Sequence, residues 1–214
     1  MNSAIILAGG NGSRMENDTP KQFILINNKM IIEYSVEAFL KNKKIDEIII
    51  VCAKEWANKL SNLYPVLKIV VGGESRTQSS FNGLKACSKN TENVLIHDSA
   101  RPMINQKIIN DCITMLKNND AAIPMLDCYD SVLNIESMDY MDRQSIKLIQ
   151  TPQAFNFKKI YQAYNSLNSS FTDDFSLFNH YNSSSKNIFF NGFRKNIKIT
   201  TSDDLVTIKN YLNE

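Results

Sequence analysis

The chain has 214 residues, 43% of them hydrophobic and 21% charged, with a formal net charge of +2. That length and balance fit one large α/β domain with a sizeable core, and a charge so near neutrality, with no concentrated basic run, argues against nucleic acid as a partner. No apolar run approaches membrane-spanning length, which argues against a membrane protein.

The first strand is expected at residues 3–7, a short apolar run that reads as buried. It begins too early to leave room for a signal peptide, so a cytoplasmic protein is expected. Four cysteines (Cys52, Cys87, Cys112 and Cys128) form no CxxC pair. They read as buried free thiols in a reducing compartment rather than as disulfides or zinc ligands.

The first strand opens onto Leu7-Ala8-Gly9-Gly10-Asn11-Gly12-Ser13-Arg14, and Pro20-Lys21-Gln22-Phe23 follows. Gly9, Gly10 and Gly12 let backbone amides close on a phosphate with no side chain in the way. Arg14 offers a planar, always charged fork and Lys21 a mobile point charge, both suited to phosphate oxygens. A dinucleotide fingerprint would need a third glycine where Arg14 stands, and a Walker loop would need Gly-Lys-Ser/Thr at the helix start. The pattern describes a cradle for a nucleoside triphosphate. The competing reading is a plain glycine turn with two solvated cations.

Asn27-Asn28 then turns the chain into an amphipathic helix over 30–40. Residues 46–51 hold three isoleucines and a valine in an uninterrupted run, which suits a strand buried on both faces of a parallel sheet. A helix over 56–63, a strand over 67–71 ending on Gly72-Gly73, and a helix over 77–89 with Thr77 near its start follow. The next strand, 94–96, closes on His97-Asp98, and a helix over 106–117 leads to a strand over 121–123. This alternation predicts a doubly wound, mostly parallel α/β sheet with ligands beyond the carboxyl ends of its strands.

Between 126 and 150 the rhythm breaks. Residues 129–135 alternate like an exposed strand and 136–144 are polar and turn-rich, so an arm over about 127–149 is expected to project from the domain. A helix over 156–167, a second over 173–181 capped by Thr172, and an Asn/Ser-rich loop over 182–187 come next. A late strand is expected over 195–200, with Lys198 facing opposite Ile197 and Ile199. Ser202-Asp203-Asp204 caps a closing helix that reaches Tyr211. There is no internal repeat and no linker, so residues 1–214 read as one domain.

Taken alone, Lys198 is a solvated strand lysine. Asp98 and Arg101, three apart at a strand-to-helix loop, either pair with each other or face a ligand. His97 reads as a satisfied, partly buried histidine and His180 as a surface one.

The blocks Leu-Ala-Gly-Gly-x-Gly-Ser-Arg-Met and Pro-Lys-Gln-Phe resemble nucleotidyltransferases that join an NTP to a sugar or polyol phosphate. The Pro-Lys-Gln form is similar to the branch typified by 2-C-methyl-D-erythritol 4-phosphate and ribitol-5-phosphate cytidylyltransferases. The likeness recurs at Gly72-Gly73-Glu74-Ser75-Arg76, His97-Asp98-Ser99-Ala100-Arg101-Pro102, Thr151-Pro152-Gln153-Ala154-Phe155 and Asn196-Ile197-Lys198-Ile199-Thr200, and so covers nearly the whole chain.

The resemblance implies a Rossmann-like cytidylyltransferase that moves CMP from CTP to a polyol phosphate and releases pyrophosphate. It also implies magnesium or another divalent cation, and a homodimer whose arms complete each other's sites. It places Leu7, Ala8, Gly9, Gly10 and Gly12 around the nucleotide, Gly73, Glu74 and Ser79 on cytosine and ribose, and Arg14, Lys21 and Lys198 on the phosphates. It puts Asp98 and Arg101 on the polyol hydroxyls, Asp98 on the metal, Arg143 on the acceptor phosphate of the opposite subunit, and Ser131 and Thr151 at the acceptor.

Methylerythritol phosphate is the acceptor implied by Thr172-Asp173-Asp174 and the Asn-Ile-Lys-Ile-Thr-Thr block. Ribitol 5-phosphate is the alternative, because no lysine follows Asp127-Cys128 or Asp130-Ser131 in the arm. A CTP-binding regulatory module without turnover is a further reading, and a dinucleotide-dependent dehydrogenase the least fitting one.

Overall fold

The computed structural model describes residues 1–10, 19–167 and 171–213. Its sheet grows outward from β1 (Asn2–Ala8), whose Ala4-Ile5-Ile6-Leu7 run supplies buried side chains to both faces. A one-turn 3-10 helix at Lys21–Phe23 leads into a small hairpin of β2 (Leu25–Ile26) and β3 (Lys29–Met30). Asn27 and Asn28 make its turn at φ 50° and 62°, a left-handed pair that asparagine tolerates better than most residues.

The alternation then unrolls as expected. It runs through α1 (Ile31–Leu40), β4 (Glu47–Cys52), α2 (Lys54–Leu63), β5 (Lys68–Val71), α3 (Arg76–Ala86), β6 (Asn93–Asp98), α4 (Gln106–Met115) and β7 (Ala121–Asp127). Strands β8 (Val132–Asn134) and β9 (Asp139–Met141) form a separate exposed hairpin. After β10 (Lys147–Ile149) and β11 (Gln153–Asn156) come α5 (Phe157–Asn165), α6 (Asp174–Tyr181), β12 (Asn187–Asn191) and α7 (Ser202–Asn213).

Strands β5, β4, β1 and β6 are parallel neighbours in that order. Antiparallel β11 joins β6 to β7, and β7 also pairs with antiparallel β10 and parallel β12. The sheet is therefore mostly parallel and wound on both sides. Alternate residues of its strands feed two cores. Ile6, Ile48 and Ile50 pack with Phe39, Leu60 and Ile109 of α1, α2 and α4, while Ile5, Ile49 and Val51 pack with Leu84, Tyr164 and Phe178 of α3, α5 and α6. Gly83 lets α3 lie directly on β1, since a Cβ there would fall 2.6 Å from Ile5. Phe23 stacks on Trp56 with ring centroids 3.8 Å apart, tying the 3-10 turn to α2.

Several local expectations change. Residues 195–200 join no strand ladder: Asn196 N donates to Phe193 O and Ile199 N to Ala100 O. Arg101 Nη1 and Gln150 Nε2 both donate to the Asn196 carbonyl, so side chains stand where a ladder partner would. Helix α3 is capped by Ser75, not started at Thr77, and α6 by Asp173 rather than Thr172. Strands β11 and β12 occupy stretches read as motif and loop edge. All four cysteines are free, but only Cys52 and Cys112 are buried; Cys87 and Cys128 are half-buried.

Candidate active site

The carboxyl ends of β1, β5 and β6 meet the start of α3 and the segment after Asn196 around a cavity of about 330 Å³. Leu7, Ala8, Gly9, Gly10, Lys21, Gly73, Glu74, Ser79, Asp98 and Lys198 all line it. The sequence-predicted nucleotide and phosphate residues thus converge. Gly12 and Arg14 lie outside the described residues.

The wall is built for close approach. Gln22 is 3% exposed and its Nε2 donates to the carbonyls of Ala8 at 2.8 Å and Gly10 at 2.7 Å, which pins the start of the glycine stretch. Ser79, buried in the second turn of α3, accepts from Gly73 N at 3.0 Å. A Cβ on Gly72 would stand 2.8 Å from its Oγ, so the strand end and helix interlock only with glycine there.

A second cavity of about 340 Å³ shares Arg76, Asp98 and Lys198 with the first and adds Arg101, Thr151, Gln153, Thr172 and Asp173. At the seam, Asp98 Oδ2 accepts from Lys198 Nζ at 2.7 Å and Oδ1 from Arg76 Nε and Nη2 at 3.2 Å. Burial alone would raise the Asp98 pKa; Arg76 and Lys198 beside it hold it well below the usual carboxylate range. Asp98 is therefore ionised, and its ion-pair partners are Arg76 and Lys198 rather than Arg101.

Arg101 lines the second cavity and at the same time holds the backbone that carries Lys198, through Nη1 to Asn196 O at 2.8 Å. Thr151 is also engaged. Its hydroxyl accepts from Asp98 N at 3.0 Å and meets His97 Nδ1 at 3.1 Å. His97 Nε2 lies 3.2 Å from the Arg101 carbonyl, which can only accept, so the Nε2–H tautomer follows and Nδ1 takes the threonine proton. Burial pushes the His97 pKa down to about 4, so the ring is neutral and structural, as expected. His180 is exposed.

Two arm residues stand apart. Ser131 is exposed, and Arg143 is exposed with Nη1 donating to Tyr129 O at 3.0 Å. Neither lines either cavity of its own chain. The sequence does not single out Arg76, Gln22 or Asp174, although all three stand inside quoted blocks; the partners of Arg76 and Asp174 are far away in the chain.

The fit of a divalent cation turns on its donors. Among the described residues no group of three potential metal-ligating side chains occurs. Asp98, ionised and lining both cavities, nonetheless suits a hard cation that takes most of its oxygens from a triphosphate.

A family model described as 2-C-methyl-D-erythritol 4-phosphate cytidylyltransferase, IspD, matches residues 2–214. The chain belongs to the IspD family. It is 37% identical over 220 residues to the 2-C-methyl-D-erythritol 4-phosphate cytidylyltransferase of Lachnospira eligens, covering 96% of both chains. It is 39% identical over 224 residues to that of Clostridium beijerinckii, again covering 96% of both. The crystal structure of 4-diphosphocytidyl-2C-methyl-D-erythritol synthase from Anaerococcus prevotii superimposes with a TM-score of 0.88 at 30% identity, covering 100% of this chain and 96% of that one. IspD membership makes the chain a nucleotidyltransferase. Among the described residues no helix is long and apolar enough to cross a membrane.

Proposed function

We propose that this IspD-family protein transfers CMP from CTP to 2-C-methyl-D-erythritol 4-phosphate in the cytoplasm. An acceptor phosphate oxygen attacks the α-phosphorus, a new phosphoanhydride bond forms, and the bond to the β-phosphate breaks to release pyrophosphate. That oxygen is already deprotonated at neutral pH, so no general base is needed, in keeping with a neutral, buried His97. The observation that carries the reading is Lys198, held by Asp98 where two cavities meet.

CTP occupies the first cavity, with its base and ribose against Gly73, Glu74 and Ser79 and its phosphates toward Lys21 and Arg14. The acceptor occupies the second. Lys198 stabilises the charge that grows on the α-phosphate oxygens during in-line displacement. Asp98 would hold magnesium together with the triphosphate oxygens, where the ion supplies charge neutralisation.

The arm supports a homodimer. Tyr129, Ile135, Met138 and Tyr140 are 64%, 75%, 65% and 77% exposed, an apolar surface that a second copy would cover. Arg143 then reaches the partner's acceptor cavity, since it lies away from its own. The test is pyrophosphate release from CTP with methylerythritol phosphate, ribitol 5-phosphate and no acceptor, each with and without EDTA. Release that depends on methylerythritol phosphate and stops with EDTA is expected. Tight CTP binding without release from either acceptor refutes the transfer.

A further inference from the structure

Asp174, the first residue of α6, is fully buried and lines neither cavity. A buried carboxylate is costly unless both oxygens are compensated, and here both are. Its Oδ1 accepts from the Tyr164 hydroxyl at 2.5 Å and its Oδ2 from Arg76 Nη2 at 2.7 Å. Burial and the neighbouring Asp174 raise the Tyr164 pKa far up, so Tyr164 stays a donor.

The same guanidinium reaches on to Asp98, and Asp98 to Lys198. Donors and charges alternate along one row: Tyr164 hydroxyl, Asp174 carboxylate, Arg76 guanidinium, Asp98 carboxylate, Lys198 ammonium. It starts in the core under α5 and ends at the seam of the two cavities. Arg76 meets Asp174 at 2.7 Å but Asp98 at 3.2 Å, so the buried carboxylate is its tighter partner. A planar fork offered to Asp98 alone is free to turn about its long stem. A second carboxylate, itself fixed by a tyrosine, holds the plane.

We propose that Asp174, seated by Tyr164, is a positioning residue for the transfer. It fixes Arg76, Arg76 sets the Asp98 carboxylate, and Asp98 in turn holds Lys198 at the seam. This rests on the cytidylyl-transfer reading above.

The test starts from the parent enzyme. No acceptor-dependent pyrophosphate from the parent defeats the transfer reading itself, which separates that failure from the one tested next. In an active parent background, Asp174→Asn keeps the shape and removes the charge. Its kcat is expected to fall about tenfold or more, the scale of losing a residue that orients a reacting group. The CTP Kd by calorimetry is expected to change far less than kcat, because the base and ribose contacts assigned to Gly73, Glu74 and Ser79 do not run through Asp174.

Arg76→Ala and Arg76→Ala/Asp174→Asn decide the route. If Asp174 acts through Arg76, the double variant turns over as Arg76→Ala does alone. Multiplying losses, or a parental kcat in Asp174→Asn, overturn the proposal. Should Asp174→Asn fail to fold, Tyr164→Phe takes its place in the same cycle and the same outcomes decide.

Discussion

Gln22 offers a measure of how far the nucleotide cradle is preorganised. Gln22→Met keeps the length of the side chain and deletes both amide hydrogens, orphaning the carbonyls of Ala8 and Gly10. The Ala8 residue is 2% exposed, so its carbonyl finds no water; leaving a buried acceptor unmade costs about 1–3 kcal/mol. Gly10 is exposed and its carbonyl rehydrates, adding little. A cost of about 2 kcal/mol against the binding-competent loop corresponds to roughly a 30-fold rise in the apparent CTP Kd. Calorimetric titration of CTP measures it, with kcat at saturating CTP expected to change far less, because the occupied site restores the loop. A CTP Kd within about threefold of the parent would show that the cradle does not depend on this side chain.

Lys21→Ala is expected to lower turnover by about a hundredfold or more while the melting temperature barely moves; near-parental turnover removes Lys21 from the site. Lys198→Ala and Arg143→Ala are each expected to be nearly inactive alone, and mixing them with demonstrated subunit exchange is expected to restore activity in heterodimers holding one intact site. Absence of recovery refutes the trans role of Arg143. His97 sets a pH dependence of stability: its pKa is about 4 in the fold against an ordinary 6.5. Between those values the unfolded chain holds a proton that the folded chain does not. Stability therefore falls as pH drops through that window, by up to about 1.4 kcal/mol per unit, and His97→Gln is expected to flatten the slope in denaturant titrations.

The sheet was legible because its central strands are written in apolar runs. Residues 48–51 and 94–96 need no partner to be recognised, since burial on both faces leaves no polar residue among them. Strand β11 was not legible. Gln153 and Asn156 belong to it because their side chains serve Asp173 and the start of α5, which no local pattern announces. Residues 195–200 erred the other way: Ile197 and Ile199 alternate with Lys198 as in a strand, yet Arg101 and Gln150 take the carbonyl that a ladder would use.

The site divides along the same line. Gly9, Gly10 and Gly73 follow strand ends closely and Lys21 stands in a short block of its own, so all four could be found from local sequence. Asp98 and Lys198 are both named from the sequence, but not as a pair, and Arg76 and Asp174 are not named, because Arg76 is 22 residues from Asp98, Lys198 100 away, and Asp174 98 beyond Arg76. Charge pairing at that range has no signature in a single sequence.

Trp56 is the single tryptophan of the chain, and it lies flat on Phe23 at an interplanar angle of 9°. Lys59 Nζ stands 5.1 Å from its ring centroid. Phe23 ends the same turn that presents Lys21 and Gln22 to the cleft. Any shift of that turn on CTP arrival alters the ring overlap, and with it the emission of the indole. The protein thus carries its own fluorophore behind a turn that lines the first cavity, and stopped-flow excitation of one residue can test, without a label, whether and how fast CTP enters there.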